Sequence, residues 1–161
     1  MKRYSLKDFI PLILIFLIII GLTTAKQIFS PLWNMQSIAY DFMGIFFIIF
    51  SSFKIINLKN FAQVYATYDL IAKRSRIYAQ AYPFIELSLG ILYIMRLYLW
   101  QTNVITLIVM LVSAAGVAYE LSKGKEITCA CLGMVFKVPM TYVTLAEDLL
   151  MALMALIMVL L

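Results

Sequence analysis

Ser37-Ile38-Ala39-Tyr40-Asp41-Phe42-Met43-Gly44-Ile45-Phe46-Phe47-Ile48-Ile49-Phe50-Ser51-Ser52-Phe53-Lys54-Ile55-Ile56 decides the fold. A helix crossing a bilayer needs about 20 consecutive, mostly apolar residues, and this run has that length. A barrel strand would alternate apolar and polar positions, whereas Ile45 to Phe50 is apolar on every side. With no water in the bilayer core to satisfy backbone groups, the segment must be helical. On a helix, Asp41, Gly44, Ser51 and Ser52 share one face, which is the face expected to meet other helices.

The surrounding composition agrees. Of 161 residues, 65% are hydrophobic and 13% charged, too few polar groups to cover a water-soluble globule. Working outward, an apolar run follows Met1-Lys2-Arg3 and Lys7 and ends at Thr23-Thr24-Ala25. A basic head, a short apolar core and small residues also fit a secretory signal peptide; the run is read as a retained first helix. On the other side, Lys54, Lys59, Lys73, Arg74 and Arg76 stud a connection in which Phe61, Val64, Tyr65, Tyr68, Ile71 and Ala72 recur at helical spacing. That pattern predicts an amphipathic helix lying in the interface. Beyond it, Glu86, Gly90 and Tyr93 share a face of the next span. Pro83 either kinks that helix or opens it, in which case Glu86 falls in the first turn. A turn is expected at Gln101-Thr102-Asn103. Thr106, Ser113, Gly116 and Glu120 then line up on the following span, with Gly124 as its stop.

The expectation is therefore an all-α polytopic membrane protein with a single transmembrane domain over 1–161. A four-helix transmembrane bundle plus an N-terminal helix give about five spans, at 9–25, 37–56, 79–100, 103–121 and 144–161. The interfacial helix covers about 60–73 and a cysteine loop 122–143. The net charge of +5 is read as topology, with no nucleic-acid partner implied. Of the 13 lysines and arginines, only Lys26 and Arg96 fall on the opposite side from the rest. The N-terminus and the cysteine loop are thus expected in the cytoplasm and the C-terminus outside, in a bacterial inner membrane. Trp33 and Trp100 fall at the outer interface, where indoles concentrate.

Chemistry has few places to reside. Histidine is absent, which removes the usual neutral-pH base and metal ligand. The two cysteines stand together in Thr128-Cys129-Ala130-Cys131-Leu132-Gly133. A disulfide across one intervening residue closes a small ring suited to exchange; reduced, the same Cys129 and Cys131 are soft ligands for Cu(I) or a similar metal. Two unrelated thiols are the bland alternative. A cytoplasmic loop would be held mostly reduced, which suits metal capture or a reductive relay better than oxidation. Glu147 and Asp148 either manage protons for a thiol or cap the last helix through Thr144-Leu145-Ala146-Glu147, a capping-box pattern. Glu86 and Asp41 must pair or be protonated if deep, and Lys54 is the candidate partner of Glu86. Met151, Met154 and Met158 share a face that is either a thioether path for a soft cation or ordinary core packing.

Phe42-Met43-Gly44 through Phe53-Lys54, the stretch Asn60 to Arg74, and Tyr82-Pro83-Phe84-Ile85-Glu86-Leu87 with Gly90 resemble the DoxX-type four-helix membrane proteins. Cys129-Ala130-Cys131-Leu132-Gly133 with Val138-Pro139 and Glu147-Asp148 resembles the MauE branch, the methylamine-utilisation membrane proteins. The likeness runs from about Tyr40 to the C-terminus. It implies a redox-associated membrane protein, a possible thiol-disulfide oxidoreductase, that assists disulfide formation or maturation of a partner, generally beside a thioredoxin-like protein. Cys129 and Cys131 would be the redox pair, with Glu147, Asp148, Glu86 and Lys54 in support. Similar proteins joined to heavy-metal-associated domains imply the alternative, handling of Cu(I) or Hg(II), with a metallochaperone as partner. A third reading is a membrane-protein assembly factor, and an oligomer is compatible with all three. A single cysteine pair argues against a quinone-linked relay within the chain.

Overall fold

The computed structural model describes residues 10–29, 34–123 and 141–161. Six helices make up the described residues, and no strand occurs among them: α1 (Ile10–Ile28), α2 (Met35–Ile56), α3 (Leu58–Tyr68), α4 (Arg76–Met95), α5 (Leu99–Ser122) and α6 (Thr141–Leu160). Helices α1, α2, α4 and α5 are long and apolar enough to cross a membrane. The 20 residues of α6 measure about 30 Å at about 1.5 Å per residue, also a bilayer's hydrocarbon thickness. The protein is an all-α, multi-pass membrane protein.

The bundle is built from two helix pairs, α2 on α4 and α5 on α6, with α1 laid against α2 and α3 against α4. The stripe on α2 faces inward as its sequence requires, with Asp41, Gly44 and Ser51 buried; Ser52 is exposed and bonds its own backbone at Ile48. Gly44 and Gly90 mark where α2 and α4 come closest. A Cβ on Gly90 would lie 3.0 Å from the Gly44 carbonyl oxygen and 3.1 Å from the Ile48 nitrogen. Small residues at that crossing let two backbones touch. Thr106, Ser113, Gly116 and Glu120 are all buried on α5. Met151 is fully buried and packs as a core side chain.

Helix α1 is joined to the bundle by Leu12, Ile15, Ile19, Thr23 and Gln27, a buried row three or four residues apart. Phe16 adds ring contacts to Phe46 and Phe50 at 6.0 and 6.2 Å. Its other sides, including Ile13, Leu14, Leu17 and Ile18, are exposed, as a helix facing lipid tails should be.

Several boundaries differ from expectation for identifiable reasons. Helix α3 stops at Tyr68 instead of continuing to 73, because Asp69 turns the chain. Its Oδ1 accepts from the backbone N–H of Ile71 (2.9 Å) and Ala72 (2.7 Å), a local bond that competes with helix continuation. Ile71 is consequently exposed, while Phe61, Tyr65, Tyr68 and Ala72 are buried. Pro83 lies inside α4, so it does not open the helix, and Glu86 is well inside it. The turn between α4 and α5 falls at Arg96–Tyr98, earlier than Gln101–Asn103. Arg96 and Tyr98 both adopt positive φ, 58° and 48°, and the Arg96 N–H closes α4 on the Leu92 and Tyr93 carbonyls. The polar residues expected in the turn, Thr102 and Asn103, are buried inside α5 instead.

Candidate functional site

Four of the residues singled out in the sequence, Lys54, Glu86, Glu147 and Asp148, meet at one end of the bundle, where α2 and α5 finish and α4 and α6 begin. Lys54, near the end of α2, extends inward and donates to both oxygens of Glu86, at 2.6 and 2.5 Å. Both side chains are almost fully shielded, at 9% and 4% exposure. The pairing inferred from two costly charges on apolar helices is therefore present. Its bonds are charge-assisted, the stronger class.

Aromatic rings enclose the ammonium. Lys54 Nζ lies 5.6 Å from the Phe61 ring centroid and 5.2 Å from that of Tyr82, within cation–π range. Tyr65 stacks between them, 5.1 Å from Phe61 and 4.4 Å from Tyr82. The Tyr65 hydroxyl donates to Asp69 Oδ2 at 3.0 Å, tying the aromatic wall to the turn after α3. Burial holds the Tyr65 and Tyr68 phenols well above their ordinary range, so both remain protonated donors.

Opposite the ion pair, α6 supplies Glu147 and Asp148. Thr144 is one turn inside α6, so the capping-box reading of Thr144 to Glu147 does not hold: an N-cap must itself be non-helical. Glu147 is instead 6% exposed. Glu147 Oε1 and Asp148 Oδ2 are buried without a hydrogen-bond partner among the described residues. With Lys54, Glu86 and Ser113 they line a cavity of about 20 Å³, room for a single water molecule. Three carboxyl groups and one ammonium, bonded to Glu86, thus line one small void. Buried carboxyl oxygens without a partner are costly in a packed interior, and such a cluster is equipped to take up or release a proton.

Cys129 and Cys131 lie outside the described residues, as do Lys2, Arg3, Lys7, Trp33, Gly124, Lys125, Lys137 and Met140. The connection that carries both cysteines leaves α5 after Ser122 and enters α6 at Thr141. Both attachment points belong to the end of the bundle that holds Lys54, Glu86, Glu147 and Asp148.

A second polar cluster, at the opposite end, was only half visible in the sequence. Asp41, 1% exposed, accepts from Lys26 at 2.6 Å, Arg96 at 2.8 Å and Gln27 at 2.7 Å. Arg96 also reaches the Ser37 carbonyl at 3.1 Å. One carboxylate thereby joins α1, α2 and the turn after α4. From sequence, Lys26 and Arg96 read only as charges marking the outer side, and Asp41 has no named partner. We expect Asp41→Asn to loosen α1 from the bundle at a cost of about 1–2 kcal/mol, since both cations are partly exposed. Faster proteolysis after α1 than in wild type would verify it.

Comparison with known proteins gives a family model described as "Methylamine utilisation protein MauE", which matches residues 32–161. No curated protein and no solved structure matches. The matched stretch contains both pairs of bundle helices and leaves out α1.

Proposed function

The chain belongs to the MauE family of methylamine utilisation proteins, and from that premise we propose that it is a thiol-disulfide exchange protein assisting the maturation of a partner. One observation carries the reading: carboxyl oxygens of Glu147 and Asp148 that have no partner among the described residues sit at the end of the bundle from which the cysteine connection departs. A thiol must lose a proton to become a nucleophile, and a carboxylate with a free buried oxygen is a suitable acceptor.

In the proposed reaction, one cysteine thiolate attacks a sulfur of a disulfide in a thioredoxin-like partner. A mixed disulfide forms, and the displaced partner sulfur leaves as a thiolate that takes a proton. The second cysteine gives its proton to the Glu147–Asp148 pair and displaces the partner's remaining sulfur. The partner departs as a dithiol, and Cys129 and Cys131 become the disulfide, two electrons having moved to the partner. The reverse sequence introduces a disulfide into the partner. Lys54 and Glu86 hold the cavity in place and balance part of its charge. The charge distribution supports a plasma-membrane location with the cysteine connection and the N-terminus in the cytoplasm.

Cys129→Ser and Cys131→Ser test the proposal. One of the two is expected to trap the mixed disulfide, raising the covalent adduct roughly tenfold or more over wild type on non-reducing gels. The double variant should give none. If neither single variant traps a partner and both thiols resist a membrane-impermeant maleimide from either side, the exchange reading fails. Cu(I) binding lost in Cys129→Ser would replace it with metal capture by the same thiols. Full cellular function in the double variant would replace it with a role in membrane-protein assembly.

A further inference from the structure

A groove of about 300 Å³ opens between α3 and α4, away from the carboxylate cavity. Its floor is alanine, Ala62 and Ala66 on α3 and Ala79 on α4, and its rim carries Lys59, Arg76, Gln63 and Gln80. Methyl side chains at these three positions leave room that larger residues would fill. No carboxylate among the described residues lines it. Neither Lys59 nor Arg76 makes an ion pair among the described residues, and both are exposed. Two cations and two amide side chains around one void are the donor set that recognises a phosphate oxygen. Arg76 is also the first residue of α4, where the helix dipole favours an anion.

We propose that this groove binds the phosphodiester headgroup of an anionic phospholipid. Its position favours a lipid over a free phosphate. Helix α3 is the amphipathic element expected at the membrane surface, and juxtamembrane basic residues on that side attract anionic lipid. On α4, Ile77 and Phe84 flank Gln80 by one turn on either side and are 81% and 48% exposed, giving an apolar track that leads from the groove toward the hydrocarbon. A headgroup seated between Lys59 and Arg76 can therefore lay an acyl chain along the outside of the same helix.

Native mass spectrometry of the full chain, released from detergent with equimolar phosphatidylglycerol and phosphatidylcholine, tests the assignment. Wild type should retain phosphatidylglycerol preferentially. Lys59→Gln combined with Arg76→Gln should reduce that retention roughly tenfold or more, and Arg74→Gln, a neighbouring basic residue outside the groove, should leave it unchanged. These are exposed positions, and unchanged helicity by circular dichroism will show that the variants fold. Equal retention of the two lipids, or an equal loss in Arg74→Gln, overturns the proposal. Displacement of phosphatidylglycerol by millimolar inorganic phosphate overturns the lipid assignment in favour of a soluble phosphate.

Discussion

Lys54→Met should cost the bundle about 3–5 kcal/mol, the penalty typical of removing one partner from a buried ion pair. Two effects compete in setting that figure. Hydrogen bonds between membrane helices average only about 0.6 kcal/mol when measured by double-mutant cycles, because the unfolded chain in the membrane also finds partners. Lys54 differs from that average. It makes two charge-assisted bonds to one carboxylate, is shielded by Phe61 and Tyr82, and stands beside two further carboxyl groups. Removing it leaves Glu86, Glu147 and Asp148 around a cavity with no cation among the described residues. The larger figure therefore applies. Reversible unfolding in mixed micelles will measure it, with Lys54→Met/Glu86→Gln as the decisive comparison. The double variant should recover much of the loss, because replacing both members of a buried pair removes the stranded charge. A cost below about 1 kcal/mol for Lys54→Met would mean that the site is hydrated and the ion pair is incidental.

Which features were readable from the sequence follows from how strongly each was constrained. Lys54 and Glu86 each lie on a mostly apolar helix, and a charge in that setting has few ways to be satisfied, so naming one nearly names the other. Asp41 was equally constrained, but its partners stand at helix ends, where a lysine or arginine reads as a topology marker. The length that lets those side chains snorkel outward also lets them fold inward. The α4–α5 turn gave no glycine, asparagine or proline to announce itself. Arg96 and Tyr98 hold left-handed conformations that side chains of their kind seldom adopt, while the polar Thr102 and Asn103 were drawn into α5, where Asn103 accepts from the Tyr93 hydroxyl at 2.9 Å. The pattern at Thr144 to Glu147 is short enough to recur inside helices, and there it places a carboxylate in the core instead of at a terminus. The cysteine pair was the most conspicuous motif in the chain, yet its surroundings depend on residues outside the described helices. Glu147 and Asp148 were legible as residues but not as the lining of a cavity, since the void forms only where α2, α3, α4, α5 and α6 meet.

Gly116→Ala is expected to destabilise the protein by about 3 kcal/mol, the upper range for adding a methyl group to a packed site. The added Cβ would lie 2.6 Å from the Tyr68 carbonyl oxygen, 3.0 Å from the Asp69 Cα and 3.3 Å from the Leu70 nitrogen. All three are backbone atoms, so no side chain can rotate aside; the end of α3 has to move away from α5. That segment is fixed from several directions. Asp69 holds the turn through Ile71, Ala72 and the Tyr65 hydroxyl, and Lys73 bonds Glu120 across to α5. Displacing it would shift Tyr65 and Tyr68, which line the carboxylate cavity, so the proposed thiol exchange should fall along with stability. Gly21→Ala is the matched control. Nothing lies within 4 Å of a Cβ there, and alanine is the better helix former by up to about 1 kcal/mol, so stability should hold or rise slightly. Equal behaviour of the two alanine variants in an unfolding titration would show that the contact between α3 and α5 is loose, and with it the aromatic wall that shields Lys54.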